Sequence, residues 1–248
     1  MKRNKQELYD KMGLSKKDVQ LLNDYFDAFS NFYGRLPLRT AFEIINEQND
    51  GRFSEALLLK FTESKKREER FYYIINPSDF FEDREDLDKL DWEIAHESLF
   101  CVDEGEYYDL CDAQEGKPIC VLSKQELLKY ADDFYKEETA ENKALEKFLE
   151  ENVEILQPPA SSGCINTAKD LVDEYILGLK IETDLTRIGI EDLLRLAILP
   201  EDEEKYNRLM DELLPLAIDA RNGTRIWANR GYTPTELAML IGGFGTSC

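Results

Sequence analysis

Ser15-Lys16-Lys17-Asp18-Val19-Gln20-Leu21-Leu22-Asn23-Asp24-Tyr25-Phe26-Asp27-Ala28-Phe29-Ser30-Asn31-Phe32-Tyr33-Gly34 is the stretch that decides how the first part of this chain folds. Ser15 followed three residues later by Asp18 is a helix start, because the hydroxyl and the carboxylate each satisfy a backbone N–H that the first turn leaves open. Leu22, Tyr25, Phe26, Phe29, Phe32 and Tyr33 then recur at three- and four-residue spacing, and Gly34 supplies the stop. A helix with that many aromatic rings on one face predicts a core element.

Reading outward, Pro37 opens a second short helix with Ala41, Phe42, Ile44 and Ile45 inward, closed by Asn49-Asp50-Gly51. Ser54 caps a third through Leu57, Leu58 and Phe61. Phe71-Tyr72-Tyr73-Ile74-Ile75, stopped by Asn76-Pro77, reads as a strand. The order of three helices and a strand over 15–76 resembles a winged-helix module, a likeness of fold that implies no particular ligand. Residues 86 to 98 read as helical, and Phe100 to Leu122, broken by Gly105 and Gly116, as one or two further strands. Ser123 and Glu126 form another capping box ahead of Leu127, Leu128, Tyr130, Ala131 and Phe134, and a helix from about Glu141 to Glu151 follows.

Leu156-Gln157-Pro158-Pro159-Ala160-Ser161-Ser162-Gly163 holds the single Pro-Pro of the chain among small polar residues, the composition of a connection between domains. The expected organisation is an N-terminal α+β domain over 1–155, a linker over 156–165 and a C-terminal helical domain over 166–248. In the last, Thr167 and Asp170 cap a helix through Leu171, Val172, Tyr175 and Ile176, Ile190 to Ile198 forms a shorter one, and Asp202 to Leu214 is amphipathic until Pro215 kinks or ends it. A final helix starts at Thr233 and dissolves at Gly242-Gly243-Phe244-Gly245. No strand pattern follows residue 160. The fold class is mainly α with a small β component.

An apolar fraction of 42% with 13 Phe, 12 Tyr and 2 Trp in 248 residues is a folding composition, although 33% of residues are charged. The start Met1-Lys2-Arg3-Asn4-Lys5 lacks an apolar leader, and the apolar runs are too short to span a membrane, so a cytoplasmic protein is expected. Five cysteines, Cys101, Cys111, Cys120, Cys164 and Cys248, fit free thiols in a reducing compartment. The net charge of -21 disfavours general attraction to nucleic acid or anionic membrane. It is unevenly spread: residues 1–70 hold 14 basic and 12 acidic side chains, whereas 79–115 hold 2 basic and 15 acidic, net -13.

That acidic segment, with Asp79, Glu82, Asp83, Asp86, Asp103, Glu104 and Glu106, is the candidate surface for a protein partner, a basic one by charge, against the plainer reading of a solvated acidic face. Lys65, Lys66, Arg67 and Arg70 are the one basic cluster and the candidate nucleic-acid contacts, although Glu63, Glu68 and Glu69 interleave and nearly cancel their charge. Catalytic and metal signatures are lacking. His96 follows Glu93 by three residues, half of a di-iron motif whose second copy is absent. His96, Cys101, Cys111 and Cys120 offer zinc-compatible atoms without the tight Cys-x-x-Cys turn that structural zinc sites use. Asp83, Asp86, Asp88 and Asp91 lack the turn glycine and terminal acid of a calcium loop, and the terminal glycines lack the Lys-Ser/Thr of a phosphate loop. No catalytic residue, metal or cofactor is expected.

Trp227-Ala228-Asn229-Arg230-Gly231-Tyr232-Thr233-Pro234-Thr235-Glu236-Leu237 stacks helix-start signals: Thr233 as N-cap, Pro234 at the first helical position, Glu236 closing a capping box and Tyr232 able to staple onto Leu237. These residues resemble the Trp, Gly, Thr-Pro, Glu-Leu stretch of uncharacterised bacterial proteins that often carry a SEC-C zinc motif nearby. The cysteine-rich knuckle of those proteins is missing here, where Cys248 alone follows, so their zinc function does not carry over. Trp227, Gly231 and the residues to Leu237 are expected to be structural, with Trp227 anchoring a turn. The expected function is that of a non-enzymatic interaction or scaffold protein, the alternatives being a winged-helix-like nucleic-acid or regulatory protein and, third, an enzyme built on scattered carboxylates.

Overall fold

The computed structural model describes residues 2–65, 70–81, 87–101, 104–155, 167–184, 188–195 and 197–242. It is mainly helical with a small amount of sheet, and its contacts divide it into two units, one of residues 1–112 and 120–135, the other of 113–119 and 136–248. The segment 156–165, expected as the linker, lies outside the described residues.

In the first unit, α1 (Lys2–Lys11) precedes α2 (Lys16–Tyr33), which starts at the expected Ser15–Asp18 capping box and stops at Gly34, whose φ of 72° removes the steric penalty of a Cβ. Leu22, Tyr25, Phe26 and Phe29 are fully buried, each contributing on the order of 2 kcal/mol. Around this helix lie β1 (Arg35–Pro37), α3 (Leu38–Glu47), α4 (Glu55–Lys65) and β2 (Tyr72–Ile75). Phe61 of α4 stacks on Phe26 with ring centroids 5.5 Å apart.

Residues 86 to 98 depart from expectation, because Glu93–His96 form not a helix but a strand, β3. β3 is the middle of an antiparallel sheet ordered β1-β3-β2, with Ile94 opposite both Leu36 and Ile74. Its partners lie about twenty and sixty residues upstream, beyond the reach of any local pattern. The predicted strands within Phe100 to Leu122 are likewise replaced by α5 (Gly105–Gln114). The stretch from Cys120 through α6 (Lys124–Leu127) returns to α2, where Tyr33 Oη donates to the Cys120 carbonyl at 2.7 Å and Asn31 Nδ2 donates to the Tyr130 and Asp132 carbonyls, each at 2.9 Å.

The second unit is built on α7 (Ala140–Asn152), α8 (Ala168–Ile181), α9 (Ile190–Leu194) and α10 (Glu203–Gly223). Leu145 and Leu149, Leu171, Val172, Tyr175 and Leu179, and Leu213, Ala217 and Ala220 are the facing stripes of its core. Pro215 does not end α10, which continues through it to Gly223. It sits on the exposed side, so the Asp211 carbonyl that loses its N–H partner faces water while buried Leu213 and Ala217 hold the helix on both sides. A two-residue ladder joins β4 (Glu154–Ile155) to β5 (Ala197–Ile198), a pairing too short to leave a sequence signal after residue 160, and the helix expected from Ile190 to Ile198 ends at Leu194. The last helix, α11 (Pro234–Gly242), begins at its expected proline. No helix among the described residues is long and apolar enough to cross a membrane.

Candidate functional site

β2 carries exposed aromatic side chains, while its neighbour β3 is largely buried. Alternation along β2 buries Tyr72 against Phe26 and turns Phe71 and Tyr73 outward, 52% and 49% exposed. Tyr73 meets Phe100 edge-on at 5.8 Å, Phe100 lies 5.6 Å from Phe80, and both lie close to Tyr107 of α5, at 5.4 and 5.1 Å. The result is an aromatic layer on the sheet face that β2 shares with Glu93 and Ala95 of β3 and with Glu97 just beyond it.

Beneath Tyr107 sits a buried ion pair. Arg35 Nε donates to Glu93 Oε2 at 2.8 Å and Arg35 Nη2 to Oε1 at 2.5 Å, Tyr107 Oη donates to the same Oε2 at 3.1 Å, and the guanidinium carbon lies 5.9 Å from the Tyr107 ring centre. Burial would draw Arg35 toward its neutral form, but the hydrogen bonds and charge of Glu93 outweigh it and raise its affinity for the proton. Burial, then the Glu93 charge, pushes the Tyr107 hydroxyl far above its ordinary range, so it stays a donor. With its oxygens engaged from two sides, Glu93 is an anchor that ties β1, β3 and α5 together.

Of the acidic residues singled out from sequence, Asp79, Glu104 and Glu106 are exposed, while Glu82, Asp83, Asp86 and Asp103 lie outside the described residues. Asp79 directly precedes Phe80 and Glu106 directly precedes Tyr107 along the chain. Glu97 joins them: its N–H donates to the Phe71 carbonyl at 2.8 Å, which sets it directly across from Phe71. None of these four carboxylates enters a hydrogen bond or ion pair among the described residues. Glu97 and the exposed rings were missed in the sequence, although three successive aromatics in a strand must place one set on each face.

Two members of the basic cluster, Lys65 and Arg70, are engaged within the first unit. Lys65 is buried, its Nζ donating to Tyr9 Oη at 2.8 Å and lying 4.6 Å from the Phe61 ring centre. Arg70 Nη1 donates to Asp27 Oδ2 at 2.7 Å. Lys66 and Arg67 lie outside the described residues.

In the second unit, Trp227 is 1% exposed, its carbonyl accepting from Gln114 Nε2 at 2.8 Å, with Lys180 Nζ 5.8 Å from its ring centre. Arg230 and Gly231 take positive φ, 52° and 85°, turning the chain into α11. Thr233 Oγ1 accepts from the Glu236 N–H and Glu236 Oε2 from the Thr233 N–H, both at 3.1 Å, and Leu237 is buried one position later, while Tyr232 is half-buried. Arg225 clasps Glu236 through two N–H groups at 2.7 and 3.0 Å, reaches Glu137 at 3.1 Å and donates to the Gly231 carbonyl at 3.0 Å. This half-hidden constellation had no local sequence signal, because Glu137 lies far upstream.

Cys101 is an exposed free thiol and Cys111 and Cys120 are buried ones; Cys164 and Cys248 lie outside the described residues. The His96 imidazole caps a short 3-10 turn, Nδ1 accepting from the Ser98 N–H at 3.2 Å. Among the described residues no three His, Cys, Asp or Glu side chains converge where a metal ion would fit. Compared with known proteins, the chain matches no protein-family model, no curated protein and no solved structure.

Proposed function

We propose that this chain is a non-enzymatic protein-interaction protein of the cytoplasm whose first unit presents an acidic, aromatic surface to a basic partner protein. The observation that carries this reading is that Phe71 and Tyr73 are half-exposed with Glu97 directly across from Phe71, and that Asp79, Glu97, Glu104 and Glu106 of the same unit have no cation of their own among the described residues. Exposed rings beside open charges are the anatomy of an interface, where the rings contribute affinity and the charges steer and select. The three free thiols suit a reducing compartment.

The second reading is a winged-helix module, supported by the sequence helix, strand, helix, helix, strand, strand from α2 to β3 with the last strand in the middle of the sheet. In such a module the helix that enters a DNA groove corresponds to α4. Its exposed residues are Glu55, Ala56, Lys60 and Glu63, two carboxylates against one ammonium, and Lys65 and Arg70 are engaged inside the unit. That composition favours a protein over a polyphosphate.

The test sets a lysine-rich peptide against a DNA duplex, each titrated into the full chain at physiological salt. The peptide is expected to bind, and Gln at Glu97, Glu104 and Glu106 together to weaken it about tenfold, at roughly 0.5 kcal/mol per exposed charge. Gln at Glu150, Glu201 and Glu203, three exposed acids of the second unit, is the control that leaves binding unchanged. Duplex binding that falls steeply with salt would replace this reading with the winged-helix one.

A further inference from the structure

We propose that the basic partner binds as an extended segment that adds a fourth strand to the sheet along the outer edge of β2; this rests on the interaction reading above and specifies its geometry.

The sheet order β1-β3-β2 leaves two edges. The β1 edge is short and closed by Pro37, which has no N–H to give, and α3 follows at once. β2 is different. The Phe71 carbonyl accepts from Glu97 N–H at 2.8 Å, which fixes the phase of the ladder: residues 71, 73 and 75 turn their backbone polar groups toward β3, and 72 and 74 turn theirs away. The Ile74 N–H and C=O have no hydrogen-bond partner among the described residues, so they offer a donor and an acceptor in the spacing that an added strand uses.

Edge strands are ordinarily blunted by lysine, proline or a bulge. Tyr72-Tyr73-Ile74-Ile75 carries none of these; it is a β-favouring edge whose backbone is open at Ile74, with the Tyr73 ring half-exposed next to it. Charge decides what fits there. Two copies of this chain pairing edge to edge would bring two segments of net charge -13 together, which repels. A segment with alternating basic side chains is opposite in charge to this acidic region, with Glu97 one strand away across β2, while its backbone completes the ladder at Ile74.

The probe is a ten-residue peptide of alternating Lys and Val, compared with the same peptide N-methylated at every residue, which keeps the charge and removes every backbone donor. Both are titrated into the full chain by calorimetry, and amide exchange is followed by NMR. The unmodified peptide is expected to bind at least about tenfold more tightly than the methylated one, to slow exchange of the Ile74 amide, and to lose about tenfold in affinity with Tyr73→Ala. Ile74→Pro, which deletes the outward donor and leaves the β3 ladder bonds in place, is expected to act like peptide methylation. If both peptides bind alike and the binding depends on Glu97, Glu104 and Glu106, strand addition is overturned while the acidic-surface reading stands. If neither binds, both are overturned.

Discussion

Asp27 should make the stability of the first unit depend on pH in a direction opposite to that of an ordinary paired carboxylate. It lies on α2 with a side chain 18% exposed, and although Arg70 Nη1 is 2.7 Å away, burial pushes its pKa up to about 6, with the Arg70 charge opposing and Asp133 and Asp24 reinforcing the rise. An unfolded chain returns the group to its ordinary value of 3.8. Below that value it is protonated in both states and contributes nothing. As pH climbs through the folded pKa, the folded state must ionise a carboxyl that it prefers neutral, and a gap of about two pKa units corresponds to about 3 kcal/mol lost by neutral pH. Asp27→Asn keeps the shape and cannot ionise. Relative to the parent, the variant should therefore gain about 2 kcal/mol between about pH 4 and pH 7. Urea unfolding of both proteins at several pH values gives the difference directly, and subtraction cancels the pH dependence of the other carboxylates. A difference that stays flat, or that turns against the variant as pH rises, would refute the reasoning and show that Arg70 holds Asp27 ionised.

Arg35→Met alone strands the Glu93 charge and should lower stability by about 3–5 kcal/mol, whereas Arg35→Met with Glu93→Leu should lower it by less, as chemical denaturation of the three proteins would show; an equal or larger loss in the double variant would mean that the stranded Glu93 charge carries no penalty. Thr233→Ala should cost about 1 kcal/mol through its lost cap. Glu236→Ala should cost more, since it also frees Arg225, and hydrogen exchange over residues 225–242 would rank the two.

The helices whose signals are local were readable in the sequence. Ser15 and Asp18 at one end and Gly34 at the other bound α2, and Thr233, Pro234 and Glu236 start α11, because caps and periodicity act within a few residues. β3 was not readable. A strand that begins with a buried Glu93 looks unfavourable until Arg35 arrives from β1 and Tyr107 from α5, and nothing nearby announces either. Lys65 was hidden differently: grouped with Lys66 and Arg67 it looks like surface charge, yet it follows Leu58 and Phe61 at seven and four residues, on the inward side of α4, and its amine is accommodated by Tyr9 and the Phe61 ring. The rings at Phe71 and Tyr73 were seen as strand formers, while their exposure depended on which face the core took.

The turn around Trp227 also sets a clock for biosynthesis. Gln114 and Lys117 donate to the carbonyls of Trp227 and Ala228, Arg230 returns a bond to the Lys117 carbonyl, and these links span 111 to 113 residues of chain. Residues 113–119 leave the ribosome long before those partners exist. A nascent chain paused anywhere between them holds this strap without the turn that receives it, so the second unit can close only once residue 230 has been made, and a chain stopped ahead of Arg225 would leave the strap exposed to proteases for good.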